Sequence, residues 1–251
     1  MAWQLDYPHA EFHSDRWSAV LDLANARNGL TQLVAGSQSL RGALMGVAVG
    51  RPSEAAGAID QGDCEAYLRG DDLVAVYDRL QQNSLRTSIY WRATGSTHND
   101  DPGESMLLMV SVETDLLDNW PAVQISSELN AAELLLMESA DENVGRCGST
   151  WNAVKPSSEG CLHYPTAVLM RPHDCDVSYL EMTHPSDFQS LDYEHHNGAV
   201  SVCWNLLGQF LEKGVIRRAR LQGVWLPRQD DQQTAVERYR RFADSAAPLT
   251  A

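Results

Sequence analysis

Apolar residues in this chain recur mostly at every second position, in short runs separated by turn formers, the period that sorts side chains onto the two faces of a β-strand. In the run 86–92, Thr87, Ile89 and Trp91 share one face, and Arg86, Ser88, Tyr90 and Arg92 share the other. In 106–115 the apolar face is Met106, Leu108, Val110 and Val112, while Leu107 and Met109 make its start apolar on both sides, as in a central strand. Comparable runs predict strands over 30–34, 44–49, 65–69, 73–77, 123–127, 133–137, 167–171, 177–183, 190–193, 199–207 and 215–226. That many short strands exceed one open sheet, so two stacked sheets follow.

The period changes convincingly only once. After Pro227, the pair Asp230-Asp231 offers a helix N-cap. Val236, Tyr239, Phe242 and Ala243 then form an apolar stripe opposite Glu237, Arg238, Arg240 and Arg241. The expected fold is mainly β: a large antiparallel two-sheet sandwich with one C-terminal amphipathic helix over 231–244.

The opening segment satisfies two periods. Ser14 could cap a helix carrying Trp17, Val20, Leu21 and Ala24 on one stripe, whereas Trp17, Ala19, Leu21 and Leu23 fit a strand. The strand is preferred because Asn28-Gly29 would then turn the chain into 30–34 as a hairpin. Asn197-Gly198 predicts a second two-residue hairpin. The breaker-rich stretches 95–103 and 145–160 are read as loops that either shape a binding mouth or run idle over the surface. None of these breaks resembles an interdomain linker, so one domain is expected over 1–251.

Composition narrows the function classes. Hydrophobic residues at 43% and charged residues at 21% are ordinary for a globular chain. The net charge of -15 is uneven. Residues 211–251 hold eight of nineteen basic and five of thirty-four acidic residues, leaving a strongly acidic body that disfavours nucleic acid as a partner. No secretory leader pattern opens the chain and no long apolar run suggests a membrane span, so a cytoplasmic protein is expected. The five cysteines, Cys64, Cys147, Cys161, Cys175 and Cys203, form no CxxC pair and are expected to be free thiols. Oligomeric state is not legible.

The strand-turn-strand opening, the long series of strands, and the closing run Gly214-Val-Ile-Arg-Arg-Ala-Arg-Leu-Gln-Gly-Val-Trp-Leu-Pro227 before a short helical tail resemble the layout of the galactose-mutarotase-like superfamily. The resemblance covers most of the chain and implies a large antiparallel supersandwich that binds sugars on a concave sheet face. In epimerase members it also implies a histidine acid and a carboxylate base on neighbouring strands.

Candidate chemistry is concentrated in two places. Five of eight histidines lie between His163 and His196, and the stretch 179–187 places His184 beside Glu181 and Asp187. A histidine near neutrality paired with a carboxylate can shuttle a proton at a sugar carbon or hydroxyl. Glu181 and His184 are three apart, so a bend at His184-Pro185 would be needed to bring them together. Arg86, Tyr90 and Arg92, with Arg69, Arg218 and Arg220, offer planar donors and aromatic faces for a sugar, its phosphate or its carboxylate. Trp120 and Trp151 are the candidate exposed stacking platforms. A metal site would draw on the same histidines and carboxylates, but neither HxH nor HExxH occurs and no metal or cofactor is expected. Nucleophile-elbow and nucleotide motifs are absent as well. Two functions follow: a carbohydrate-binding sandwich related to sugar mutarotases or epimerases with His184 as acid or base, or a non-catalytic interaction scaffold.

Overall fold

The computed structural model describes residues 2–50, 64–78, 85–94, 104–141 and 146–246; the loop expected over 95–103 lies outside them. In chain order the strands are β1 (Trp3–Asp6), β2 (His9–His13), β3 (Trp17–Asp22), β4 (Leu30–Ala35), β5 (Gln38–Ser39), β6 (Gly42–Gly50), β7 (Cys64–Arg69), β8 (Asp72–Tyr77) and β9 (Leu85–Thr94). There follow β10 (Ser105–Thr114), β11 (Ala122–Asp141), β12 (Arg146–Ala153), β13 (Ser158–Leu162), β14 (Ala167–Pro172), β15 (Val177–Thr183), β16 (Phe188–His196), β17 (Ala199–Leu206) and β18 (Ile216–Pro227). Among the described residues a single α-helix, α1 (Asp231–Ala243), closes the series.

All described strand pairs are antiparallel, and they fall into two layers. The first runs β1-β2-β3-β4-β6-β11-β17-β16-β13, with β5 beside β4. The second runs β7-β8-β9-β10-β18-β15-β14-β11-β12. β11 belongs to both. It lies between β6 and β17 up to Asn130, and between β14 and β12 beyond it. Register shifts between Ser126 and Glu128 and between Ala131 and Glu133 bracket the crossing, as expected where bulges bend a strand. The separate strands expected over 123–127 and 133–137 are therefore one.

The core lies between the layers. Phe12, Trp17, Leu21, Leu129, Val202 and Trp204 from the first meet Ile89, Trp91, Val110, Tyr179 and Trp225 from the second. Thr87, Ile89 and Trp91 are buried while Arg86, Ser88 and Tyr90 reach the outside, as the alternation requires. A second apolar cluster covers part of the outer face of the second layer. There Ala235, Val236, Tyr239 and Phe242 of α1 lie on Leu135, Leu169, Leu180, Met182, Val224 and Leu226. The helix covers one end of that layer; over β8 to β10 the same face mixes Val74, Val76 and Met109 with Arg86, Ser88 and Tyr90.

Three expectations are corrected. The chain from β3 to β4 is a 3-10 turn over Leu23–Asn28, not a two-residue hairpin. Asp22 Oδ1 accepts the Ala24 amide, and Gly29 closes the turn at φ +66°. β3 and β4 still pair, Leu21 opposite Leu30. The stretch 145–160 holds all of β12 and the start of β13; β1 and β2, on either side of Tyr7-Pro8, were not expected, although His9–His13 alternates exposed and buried positions. Asp230 does not cap α1 through its side chain; it is left-handed, φ 58°, and the Asp231 carboxylate turns back to Arg171 and Ser178. The hairpin at Asn197-Gly198 does form, with both residues at positive φ and His196 opposite Ala199.

Candidate functional site

His184 follows β15 on the outer side of the second layer. Its Nδ1 lies 2.8 Å from Ser186 Oγ, and that hydroxyl donates to Asp187 Oδ1 at 2.5 Å. Arg220 donates through Nε to Asp187 Oδ2 at 3.0 Å and through Nη2 to Ser186 Oγ at 3.2 Å. The Phe242 ring meets the imidazole edge-on at 5.8 Å. Burial, then the Arg220 guanidinium, push the imidazole below its ordinary value, so it is largely neutral at pH 7. Asp187 and Arg220 are both buried, and His184 sits against the end of α1.

Glu181 points the other way, between the layers. It is 0% exposed and accepts hydrogen bonds from Ser127 Oγ (2.6 Å), Tyr179 Oη (2.9 Å) and Trp204 Nε1 (2.6 Å). Strand parity wins here: β15 ends at Thr183, and the turn that follows does not bring Glu181 round to His184.

Of the six residues expected to hold a ligand, Arg69, Arg86, Tyr90 and Arg218 line one cavity of about 360 Å³ on the outer face of β7 to β10 and β18. The other two are engaged elsewhere. Arg92 forms a two-pronged ion pair with Asp72, Nε at 2.7 Å and Nη2 at 2.6 Å, and Arg220 is committed to Asp187. Of the two expected platforms, Trp120 is 53% exposed with Phe210 beside it at 5.6 Å. Trp151 instead packs against the α1 cluster and donates its indole N–H to the Gln232 carbonyl.

A larger cavity, about 980 Å³, opens on the outer face of the first layer. Two cross-strand rows form its floor. Ser126, Cys203, Asp192 and Cys161 stand opposite one another on β11, β17, β16 and β13, and Glu128, Ser201, Glu194 and Glu159 form the next row. On the far side Gln124 donates to Asn205 at 2.9 Å, and Asn205 donates to Ser190 at 2.9 Å and to Asp192 Oδ2 at 2.8 Å, which fixes that carboxylate. Arg27 and Asn28 of the 3-10 turn overhang the edge. The turn approaches β6 because Gly46 has no side chain: a Cβ there would lie 2.1 Å from the Arg27 carbonyl oxygen.

Hydrogen bonding to Asp192, then burial, raise the Cys161 thiol, and burial foremost raises Cys203; both are kept from thiolate form. No histidine among the described residues lines this cleft. Among the described residues, no three His, Cys, Asp or Glu side chains come close enough to share a metal ion, and no helix is long and apolar enough to cross a membrane. The cleft residues were not expected as a set. The signal was nevertheless present, because a two-residue turn at 197–198 dictates that Asp192 faces Cys203 and Glu194 faces Ser201.

No protein-family model matches the chain, and no curated protein matches it in sequence. The likeness to known proteins is in fold. A candidate aldose 1-epimerase from Escherichia coli K12 superposes with a TM-score of 0.63 at 7% identity, covering 86% of this chain and 98% of the other. A galactose mutarotase related enzyme from Lactobacillus acidophilus gives 0.58 at 8% identity, covering 90% and 99%. A GalM/aldose epimerase homologue from C. elegans gives 0.53 at 9% identity, covering 85% and 97%. The chain has a galactose-mutarotase-like fold.

Proposed function

We propose that this protein binds a neutral or amino sugar in the cleft on the outer face of β11, β16, β17 and β13. The observation that carries the reading is the pair of aligned rows containing Asp192 and Glu194, which put hydrogen-bond acceptors and short hydroxyls on one concave floor under the Arg27 and Asn28 overhang. Ionised carboxylates accept from adjacent sugar hydroxyls, and the volume falls within the range of small-molecule sites. Charge selects among sugars. Glu128, Glu159, Asp192 and Glu194 face Arg27, a balance that repels phosphorylated and uronic sugars. The fold neighbours, aldose epimerase-like proteins and a mutarotase-related enzyme, favour an aldose.

Opening an aldose ring takes a proton from the anomeric hydroxyl and returns one to the ring oxygen. Within this cleft, carboxylates such as Asp192 are the groups able to act as the base. His184 belongs to the other layer, and we assign it a structural part under α1. Binding is tested by titrating aldoses, amino sugars, uronic acids and sugar phosphates against the protein and the variants Asp192→Asn and Ser201→Trp. Saturable binding of a neutral or amino sugar, weakened at least about tenfold by either change, supports the reading; no binding of any sugar overturns it. Polarimetry of a bound aldose then tests the chemistry. His184→Ala should leave any catalysed mutarotation unchanged, and a fall of about a hundredfold would return the acid-base role to His184.

A further inference from the structure

We propose that the cavity on the outer face of the second layer is a separate binding site for a small molecule carrying an oxyanion, a phosphate monoester or a carboxylate. The cavity arises from side-chain length. Val76, Ser88 and Ser111 are neighbours across β8, β9 and β10, and these short side chains form a floor. The next row carries Tyr90 opposite Val74 and, beyond it, Tyr67; on the other side stand Arg86 opposite Glu113, and Arg218 opposite Ser111. Long side chains thus wall a depression of about 360 Å³ floored by two hydroxyls.

Three guanidiniums, Arg69, Arg86 and Arg218, line this depression in a chain whose net charge is -15. If they served only to neutralise acidic strands, each would hold a carboxylate. Arg86 approaches Asp78 at 3.4 Å on the exposed rim. Arg69 and Arg218 have no acidic partner among the described residues, and the Nε of Arg218 is buried without a hydrogen bond. A buried, unsatisfied donor on a charged group is costly, and an oxyanion is the ligand that satisfies it, accepting from a planar fork with two tyrosine and two serine hydroxyls in reach. Glu113 also lines the cavity and opposes an anion, so the lining holds three positive groups against one negative. The sugar cleft has the reverse balance, one arginine against four carboxylates. The two cavities occupy outer faces of opposite layers, so this site does not rest on the sugar reading.

Calorimetric or NMR titration with inorganic phosphate, glucose 6-phosphate, glucuronate and acetate, with glucose as the neutral control, tests the inference. The phosphate-bearing and carboxylate-bearing arms identify the headgroup. Saturable binding of at least one oxyanion is expected. It should weaken about tenfold or more in Arg86→Gln and in Arg218→Gln, tighten in Glu113→Gln, and stay unchanged in Asp192→Asn. Arg86 and Glu113 lie at least partly at the surface, so those variants keep the test decisive even where Arg218→Gln fails to fold. The proposal is overturned if no oxyanion saturates the protein, or if Arg86→Gln and Glu113→Gln bind as the parent does.

Discussion

Trp204 of the first layer donates its indole N–H to Glu181 of the second at 2.6 Å, so a carboxyl group with no exposure joins the two sheets through their core. Ser127 and Tyr179 supply two more donors, and Ser127 Oγ in turn accepts the Met45 amide at 2.8 Å. Removing the acceptor strands three buried donors at once. Glu181→Ala should therefore cost at least about 3 kcal/mol in urea unfolding, far more than its lost area implies.

The same residue makes stability fall with rising pH. Burial raises its carboxyl above the ordinary glutamate value, against the opposing pull of its three hydrogen bonds. The folded chain then keeps a proton that the unfolded chain releases near pH 4.3, so stability declines as pH climbs from there through the folded value. Glu181→Gln keeps the acceptor for Trp204 and lets the two hydroxyls rotate to accept from its amide. It should flatten that slope and equal or exceed the parent in stability at pH 7; an unchanged pH slope would reject the buried-charge explanation.

Much of the architecture follows from local pattern, and the contrast between residues shows where pattern stops. The two faces of β9 follow from alternation because Thr87, Ile89 and Trp91 are buried, so a one-residue error would put Arg86 and Arg92 in the core; β15, Val177–Thr183, is buried on both faces, and its pattern does not tell that Glu181 points inward. Sites are different. Ser126, Cys161, Asp192 and Cys203 lie on four strands, and each alone looks like a solvated outer position. Their only local link is the hairpin at Asn197-Gly198. The fates of Arg92 and Arg220 were equally hidden, because their partners, Asp72 and Asp187, become neighbours only through long-range pairing. The capping expectation failed for a tertiary reason too: an ion pair with Arg171 competes better for Asp231 than a helix terminus does.

That ion pair is the tether of α1. Burial alone would raise the Asp231 carboxyl, but Arg171, with a further hydrogen bond from Ser178, outweighs it and holds the group low. Its stabilisation is complete above the unfolded value near pH 3.9 and is lost as pH falls through the lower folded value. Asp231→Asn leaves Arg171, whose side chain is 17% exposed, with only Glu133. A loss of about 3 kcal/mol is expected near neutrality, vanishing in acid, measured by thermal unfolding across pH.

Gly46 sets the edge of the cleft proposed to bind sugar. A Cβ there would meet backbone atoms of Arg27, its carbonyl oxygen at 2.1 Å and its carbon at 3.0 Å, so the 3-10 turn must move rather than a flexible side chain. Gly46→Ala should cost about 1–3 kcal/mol as an overpacked contact and weaken sugar binding by displacing Arg27 and Asn28. Circular dichroism melts and the aldose titration check both; binding that survives with the parent's affinity would show that the overhang plays no part in recognition.

Cys161 reports on Asp192 from the opposite side of the same row. The thiol is exposed, yet the neighbouring carboxylate, foremost through a hydrogen bond, disfavours its ionisation. Alkylation proceeds through the thiolate, so at pH 7 Cys161 should react with iodoacetamide more slowly than free cysteine, and Asp192→Asn should accelerate it about threefold or more. A sugar lodged over Asp192 should slow the reaction again in the parent protein, because it covers Cys161 along with the carboxylate. Peptide mass mapping of the labelled site follows both effects; equal rates in parent and variant would mean that Asp192 does not govern the thiol.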